Sequence, residues 1–202
     1  MLKSFAKATS VISIAALVGA VLVAGTYQAT RAQTAQNERN TLLRTLNQVM
    51  PADYYDNELL ADKIDYPANT SHAASITVYR AWQQGQARGV ALMTSALEGY
   101  NGRIQLLIGL DAQGTVLGVR VLSHQETPGL GDAIEHRRSD WITAFNGRSL
   151  ENPSSTGWQV KRDGGIFDQF TGATITPRAV VRAVYHALQF YQQEKSTIFP
   201  ES

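Results

Sequence analysis

The sequence contains no cysteine. That excludes disulfides, thiolate nucleophiles, thioether-attached haem and cysteine-ligated iron–sulfur clusters. Any redox chemistry would need a cofactor held another way. The absence is compatible with an oxidising compartment and does not establish one. Surplus charge is missing too. Lys and Arg number 18 against 17 Asp and Glu, a formal net charge of +1, which gives no electrostatic case for nucleic acid. Histidines are few and scattered, at 72, 124, 136 and 186, without His-x-x-x-His spacing. His124-x-Glu126 supplies two ligands, too few for a zinc site, so no metal is expected. Gly129-Leu130-Gly131 lacks the strand–GxGxxG–helix setting of a dinucleotide fold. No Gly-x-Ser-x-Gly nucleophile turn occurs, nor any internal repeat or low-complexity tract.

Charge is also absent between Lys7 and Arg31, where Val11 to Val23 is almost wholly apolar. Roughly 20 such residues, at 1.5 Å each, span a bilayer core of about 30 Å. Lys3 and Lys7 precede the run, and Tyr27 sits where an aromatic ring suits the interface. A cleaved signal peptide is the competing reading, with Val23-Ala24-Gly25 as its small-residue site, but the run is long and no clean Ala-x-Ala follows. Residues 1–30 therefore read as a cytoplasmic stub and a single transmembrane helix. Arg31, Arg39 and Arg44 nearly balance the N-terminal positives, so loop charge alone orients it weakly. A short head before a large body resembles a signal anchor, which places the rest outside the cytoplasm.

The chain has 202 residues, enough for one compact domain plus an anchor. Leu42, Leu43, Leu46, Val49 and Met50 recur at helical spacing until Pro51, predicting a juxtamembrane helix that packs on the domain or on a partner. Residues 51–74 read as irregular connection, giving a middle segment of 31–74. From 75 to 202 a domain is expected. Ser75–Trp82 and Gly89–Leu97 are strand candidates. Arg103–Leu110 and Thr115–Leu122 flank Asp111-Ala112-Gln113-Gly114 as a hairpin. Ser139–Phe145 reads as a short helix closed by Asn146-Gly147. Trp158–Arg162 reads as a strand before Asp163-Gly164-Gly165. Glu135-His136-Arg137-Arg138 reads as a solvated helix face. The last helix is expected from Thr176 as N-cap and Pro177 as first residue to about Gln192, with Val180, Val181, Val184, Leu188 and Tyr191 as its apolar face. The fold class is α+β: one N-terminal transmembrane helix, then a mostly antiparallel sheet with packed helices.

The segment Asp168-Gln169-Phe170-Thr171-Gly172-Ala173-Thr174-Ile175-Thr176-Pro177 lies just before that helix. A helix start leaves N–H groups unpaired and carries about half a positive charge, so a phosphate is stabilised there without lysine or arginine. Gly172 lets the backbone approach a ligand, and Ala173 adds little bulk. A threonine hydroxyl can hydrogen-bond a phosphate or be esterified by it. Ordinary helix capping is the plainer alternative.

Thr171-Gly172-Ala173-Thr174, with Asp168 three residues earlier, resembles the flavinylation motif of the FMN-binding domain in the Rnf/Rsx complexes and the Na⁺-translocating NADH:quinone reductase. Tyr100-Asn101-Gly102, Leu106-Leu107-Ile108-Gly109, Gly118-Val119-Arg120-Val121, His124 to Gly131 and Asp163-Gly164-Gly165 also look like the G subunit of Rnf/Rsx. The corresponding quinone reductase subunit is similar in kind but longer. The resemblance implies FMN held by a phosphoester on Thr174, installed by a flavin transferase from FAD. Asp168, Thr171, Gly172 and Ala173 would be read by that transferase, and Thr171, Gly172, Ala173, Ile175 and Thr176 would surround the cofactor. It further implies a six-subunit complex in a bacterial inner membrane, with the bulk of this chain periplasmic. That complex moves electrons between ferredoxin and NAD coupled to cation transport, or keeps a redox-sensing regulator reduced.

His124-Gln125-Glu126-Thr127-Pro128-Gly129-Leu130-Gly131 follows a strand and turns tightly at Thr127-Pro128-Gly129. Leu130 can offer an apolar surface to an isoalloxazine ring, and His124 and Glu126 can hydrogen-bond to it and tune it. By itself this is a polar turn. With the resemblance, His124, Glu126, Thr127 and Leu130 are expected to line the flavin site. A flavin-free structural subunit and a stand-alone extracytoplasmic reductase are the competing functions.

Overall fold

A computed structural model describes residues 2–68 and 74–200, with side chains from 12 onward apart from 32 and 35. His72 lies outside the described residues. The chain divides into two compact units, Met1–Leu43 and Arg44–Ser202. The expected anchor and juxtamembrane helix are one continuous helix, α1 (Leu2–Val49). Its side chains at Ile12, Leu17 and Val23 are 69%, 67% and 70% exposed. Apolar groups left this open in a row suit lipid rather than water. Thr26 and Thr30 donate their hydroxyls to the carbonyls of Leu22 and Thr26 at 3.0 and 2.8 Å, so these polar groups are satisfied inside the helix.

In the second unit five strands form one antiparallel sheet in sequence order: β1 (Lys63–Tyr66), β2 (Ile76–Gln83), β3 (Gln86–Gly99), β4 (Gly102–Asp111) and β5 (Val116–Ser123). The four strands read from alternation are all present. The β2–β3 turn is Gln84-Gly85, with φ of 52° and 73°, the doubly positive pair that matches the twist of a two-residue hairpin. Alternation along β4 separates the faces. Leu106, Ile108 and Leu110 join Val78, Leu92 and Val119 in the main core. Across it lies α2 (Ile175–Ile198), which buries Val180, Val181, Val184, Leu188 and Tyr191 as its periodicity predicts.

The opposite face of β4 carries Leu107 and Gly109. Gly109 pairs with Gly118 of β5, and Val49, at the end of α1, rests on both. A Cβ on Gly109 would stand 2.1 Å from the Val49 carbonyl oxygen, and one on Gly118 3.1 Å from the Val49 Cα. Leu46, Val49 and Met50 are buried here.

Four local expectations are corrected. Within 51–74, Ala52–Tyr54 forms a 3-10 turn and Lys63–Tyr66 forms β1, while 69–73 lie outside the described residues. β1 is a charged edge strand of only four residues. The Thr77 hydroxyl of β2 donates to Asp65 of β1 at 2.7 Å, and Asp62, just before β1, pairs with Arg80 of β2 at 2.5 Å. Charge suits an edge and disguises a strand. Trp158–Arg162 is not a strand. It follows the 3-10 turn Ser155–Gly157 and runs into the one at Lys161–Asp163, with one isolated bridge from Val160 to Phe167. The alternating burial of Trp158 and Val160 reflects an aromatic cluster in which Phe145 stacks on Phe167 at 4.6 Å and Trp158 lies 5.3 Å from Phe167. Glu135 is not on a helix face; it follows the 3-10 turn Gly131–Ile134. Finally, α2 starts at Ile175 with Thr174 as N-cap and runs to Ile198, so Thr176 is not the cap and Pro177 is the third residue. Pro is tolerated there because a first-turn N–H has no partner within the helix.

Candidate functional site: the loop before the last helix

Thr174 closes the loop at the start of α2. Its backbone is already helical, φ −81° and ψ −20°, and its hydroxyl makes no capping bond. Capping residues usually adopt extended dihedrals that swing the side-chain oxygen onto the first N–H groups. Thr174 does not, and its half-buried side chain keeps a hydroxyl unengaged by the described residues. Ile175 and Thr176 carry the unpaired N–H groups of the first turn, since Pro177 has none. Upstream, Phe170 and Ala173 bridge across a turn, and Gly172 holds φ +82°. That value strains any residue with a Cβ. Thr171 and Gly172 are exposed and Ala173 is half-buried.

Two contacts brace this loop from below. The Trp141 indole N–H donates to the Asp168 carbonyl at 2.7 Å, and its ring meets Phe170 edge-on at 5.1 Å. The Ser139 hydroxyl accepts from the Trp141 backbone N–H at 3.0 Å, capping the 3-10 turn Asp140–Phe145 that holds the indole. Asp168 itself is exposed and paired with Lys161 at 2.6 Å. One turn into α2, Arg178 grips Asp163 with two bonds of 2.5 and 2.6 Å. This ties the Asp163-Gly164-Gly165 turn to the same helix end.

The segment 124–131 stands beside the loop. Leu130, 46% exposed, approaches Gly172. Thr127 accepts from the Asn101 side-chain amide at 3.1 Å, and its carbonyl accepts from Leu130 and Gly131, both at 3.1 Å. Glu126 is different: only 4% exposed, it accepts from the Asn101 backbone N–H at 3.1 Å and from the Thr176 hydroxyl. Glu126 and Thr176 thus face inward, toward each other. His124 Nδ1 accepts from the Glu126 backbone N–H at 3.0 Å, so Nε2 carries the proton toward Glu135, 2.7 Å away. Arg137, then His124, hold the Glu135 carboxyl down at about 2 against an ordinary 4.5.

The arrangement fits a phosphate ester followed by a flat aromatic ring. A free hydroxyl and two N–H donors meet at Thr174. Leu130, Ile175 and Tyr100, 46%, 45% and 65% exposed, leave apolar surface on the three segments that converge there. Grooves of about 380 and 450 Å³ flank α2 near Arg182 and His186, but neither is lined by 171–176. The feature that marks the site is the uncapped start of α2.

Residues 99–189 match the FMN-binding domain, and residues 1–49 match the RnfG N-terminal region. The G subunit of the ion-translocating oxidoreductase complex of Vibrio cholerae serotype O1 (strain M66-2) is 46% identical across 98% of this chain and 95% of its own. That of Pseudomonas aeruginosa (strain UCBPP-PA14) is 45% identical across 97% and 92%. That of Aliivibrio fischeri (strain MJ11) is 42% identical across 98% and 95%. The chain belongs to the G-subunit family of ion-translocating oxidoreductase complexes.

In this G-subunit chain the FMN-binding domain match takes in both the 124–131 segment and the loop ending at Thr174. The resemblance read from those motifs is borne out at the level of the family. Sequence reasoning missed Trp141, Asn101 and Lys161. Trp141 reads as part of a short helix, and nothing local announces that its indole reaches across 27 positions to Asp168. Asn101 reads as a turn residue, which it is. Its bonds to Glu126 and Thr127 appear only once β4 and β5 are folded together.

Proposed function

We propose that this G subunit is a membrane-anchored electron carrier whose FMN is esterified through its phosphate to Thr174. Thr174 carries the reading: its hydroxyl caps nothing and stands beside two unpaired N–H donors at the positive end of α2. Bound there, FMN supplies one- and two-electron redox chemistry. The chain's own part is to retain and orient it. Thr174 would provide the attachment oxygen, and the Ile175 and Thr176 N–H groups would be available to the phosphate. Gly172 would permit close approach, and the exposed Leu130 and Ile175 would offer the ring apolar surface. A covalent link makes retention independent of affinity, which matters outside the cytoplasm, where a lost flavin is not easily replaced.

On this reading a flavin transferase recognises Asp168, Thr171, Gly172 and Ala173, which the exposure of Asp168, Thr171 and Gly172 supports. Residues 1–30 supply the cytoplasmic stub and inner-membrane anchor, 31–74 connect it to the FMN-binding domain of 75–202, and the bulk of the chain is periplasmic. The chain passes electrons between neighbours in a six-subunit Rnf/Rsx-type complex and has no turnover alone. The complex couples ferredoxin and NAD to ion transport or keeps a redox-sensing regulator reduced. Mass spectrometry of the full chain, produced with a flavin transferase, tests the central claim. One FMN phosphoryl adduct is expected on the peptide containing Thr174. An unmodified Thr174 in a coloured protein would place the flavin elsewhere and defeat the proposal.

A further inference from the structure

We infer that Glu126 is a positioning residue for the modification of Thr174. It pins the first turn of α2 in the register that presents the Thr174 hydroxyl. This rests on Thr174 being the FMN attachment residue.

The start of α2 has no side-chain cap of its own. A helix that begins without one is held weakly at that end. What holds it comes from outside, 50 positions earlier in the chain: the Glu126 carboxylate, accepting from the Thr176 hydroxyl. Its other oxygen accepts from the Asn101 backbone N–H at 3.1 Å. One buried side chain thereby joins the β3–β4 turn, the 124–131 segment and the helix. Two glycines make room for it. A Cβ on Gly99 would stand 2.9 Å from Glu126 Oε1, and one on Gly131 2.9 Å from both Cβ and Oε2 of Glu126. The backbone on both sides is cleared for this carboxylate, and the helix dipole favours a negative group at that end.

The pin matters because the sequence contains a rival helix start. Thr176 followed by Pro177 is the ordinary pairing of an N-cap with a first helical residue. In the structure Thr176 cannot cap, because its hydroxyl is committed to Glu126 and it is fully buried. Released from Glu126, Thr176 is free to cap a helix that begins two residues later. Thr174 would then leave the helix and lose the N–H groups beside it. Choosing between the two starts is the function assigned to Glu126.

The experiment compares the full chain in detergent with Glu126→Ala, Glu126→Gln and Thr176→Val, using purified flavin transferase and FAD. Covalent flavin on the Thr174 peptide is followed over time and over carrier concentration. In parallel, amide exchange at Arg178 reports the helix start. Its N–H bonds the Thr174 carbonyl in the observed register and bonds nothing within the helix if the start moves to Thr176. Glu126→Ala is expected to lower kcat by about 100-fold, the scale of an ångström-sized misplacement, with KM for the carrier little changed and Arg178 protection lost. Glu126→Gln is expected to rescue both readouts. Its carbonyl accepts from Asn101, its amide donates to Thr176, and the Thr176 hydroxyl rotates to accept. Thr176→Val removes the link to the helix while sparing the Glu126–Asn101 bond, so it decides the matter if Glu126→Ala does not fold; with neither the pin nor a cap at 176, the first turn should fray, Arg178 lose protection and kcat fall. Wild-type kcat with Arg178 protected in the folded variants would overturn the positioning role. A wild-type chain that accepts no flavin at Thr174 overturns the attachment reading instead, and the exchange data still decide whether Glu126 sets the helix start.

Discussion

Gly109 lies directly beneath the Val49 carbonyl, so close that a β-carbon there would overlap the oxygen at 2.1 Å. The obstacle is backbone, which cannot swing aside as a side chain can. Gly109→Ala is therefore expected to destabilise the full chain by about 1–3 kcal/mol, the usual cost of overpacking. Gly118→Ala, whose added carbon stops 3.1 Å from the Val49 Cα, should cost less. Denaturant midpoints of the two variants check the order. Equal stability of Gly109→Ala and wild type would mean that α1 does not end on this sheet face in solution.

The two threonines flanking Ile175 should differ in what they contribute to stability. Thr174 makes no capping bond, so Thr174→Val is expected to stay within about 0.5 kcal/mol of wild type, as surface changes do, while losing all covalent flavin. Thr176→Val leaves a buried Glu126 oxygen without its donor and should cost about 1–3 kcal/mol. Thermal melts paired with in-gel flavin fluorescence measure both. A Thr174→Val chain that remains fluorescent would count against the attachment residue.

Acid should weaken the 124–135 segment through Glu135. Its carboxyl is held at about 2 in the folded chain, by Arg137 first and then His124, against 4.5 ordinarily. A group lowered on folding contributes stability above its unfolded value, and that contribution is lost as pH falls toward the folded one. The stability gap between wild type and Glu135→Gln should therefore be constant above about pH 5 and shrink between 4.5 and 2. Unfolding curves at stepped pH test this; a gap unchanged down to pH 3 would contradict it.

Trp141 should matter to the loop more than to the core. Trp141→Phe keeps a ring against Phe170 but removes the 2.7 Å bond to the Asp168 carbonyl. A modest loss of about 0.5–1.5 kcal/mol is expected, with faster amide exchange or proteolysis confined to 168–173. Uniform loosening of the whole domain would show instead that the indole serves the aromatic cluster.

Much of this fold was legible because its signals are local. Alternation in Ile76–Gln83, Gln86–Gly99, Gly102–Asp111 and Val116–Ser123 declares four strands, and the stripe from Val180 to Tyr191 declares the face of α2. β1 escaped because four residues carrying Lys63 and Asp65 have too few alternations to stand out from a polar connection. The helix start was misplaced by two residues for a sharper reason. Capping rules see neighbours in sequence, whereas the choice between Thr174 and Thr176 is made by Glu126 from another part of the chain. Thr174 itself stood out in the motif, but Trp141, which braces its loop at Asp168, and Asn101, which holds Glu126, become visible only through tertiary contacts.

Pro177 in the third position of α2 has a stoichiometric consequence. A phosphate joined both to a protein hydroxyl and to a ribityl chain is a diester, and retains two unsubstituted oxygens rather than the three of a monoester. Of the first three residues of α2, only Ile175 and Thr176 have an N–H to give. Two donors from the first turn would thus meet two free oxygens, and Pro177 offers no third.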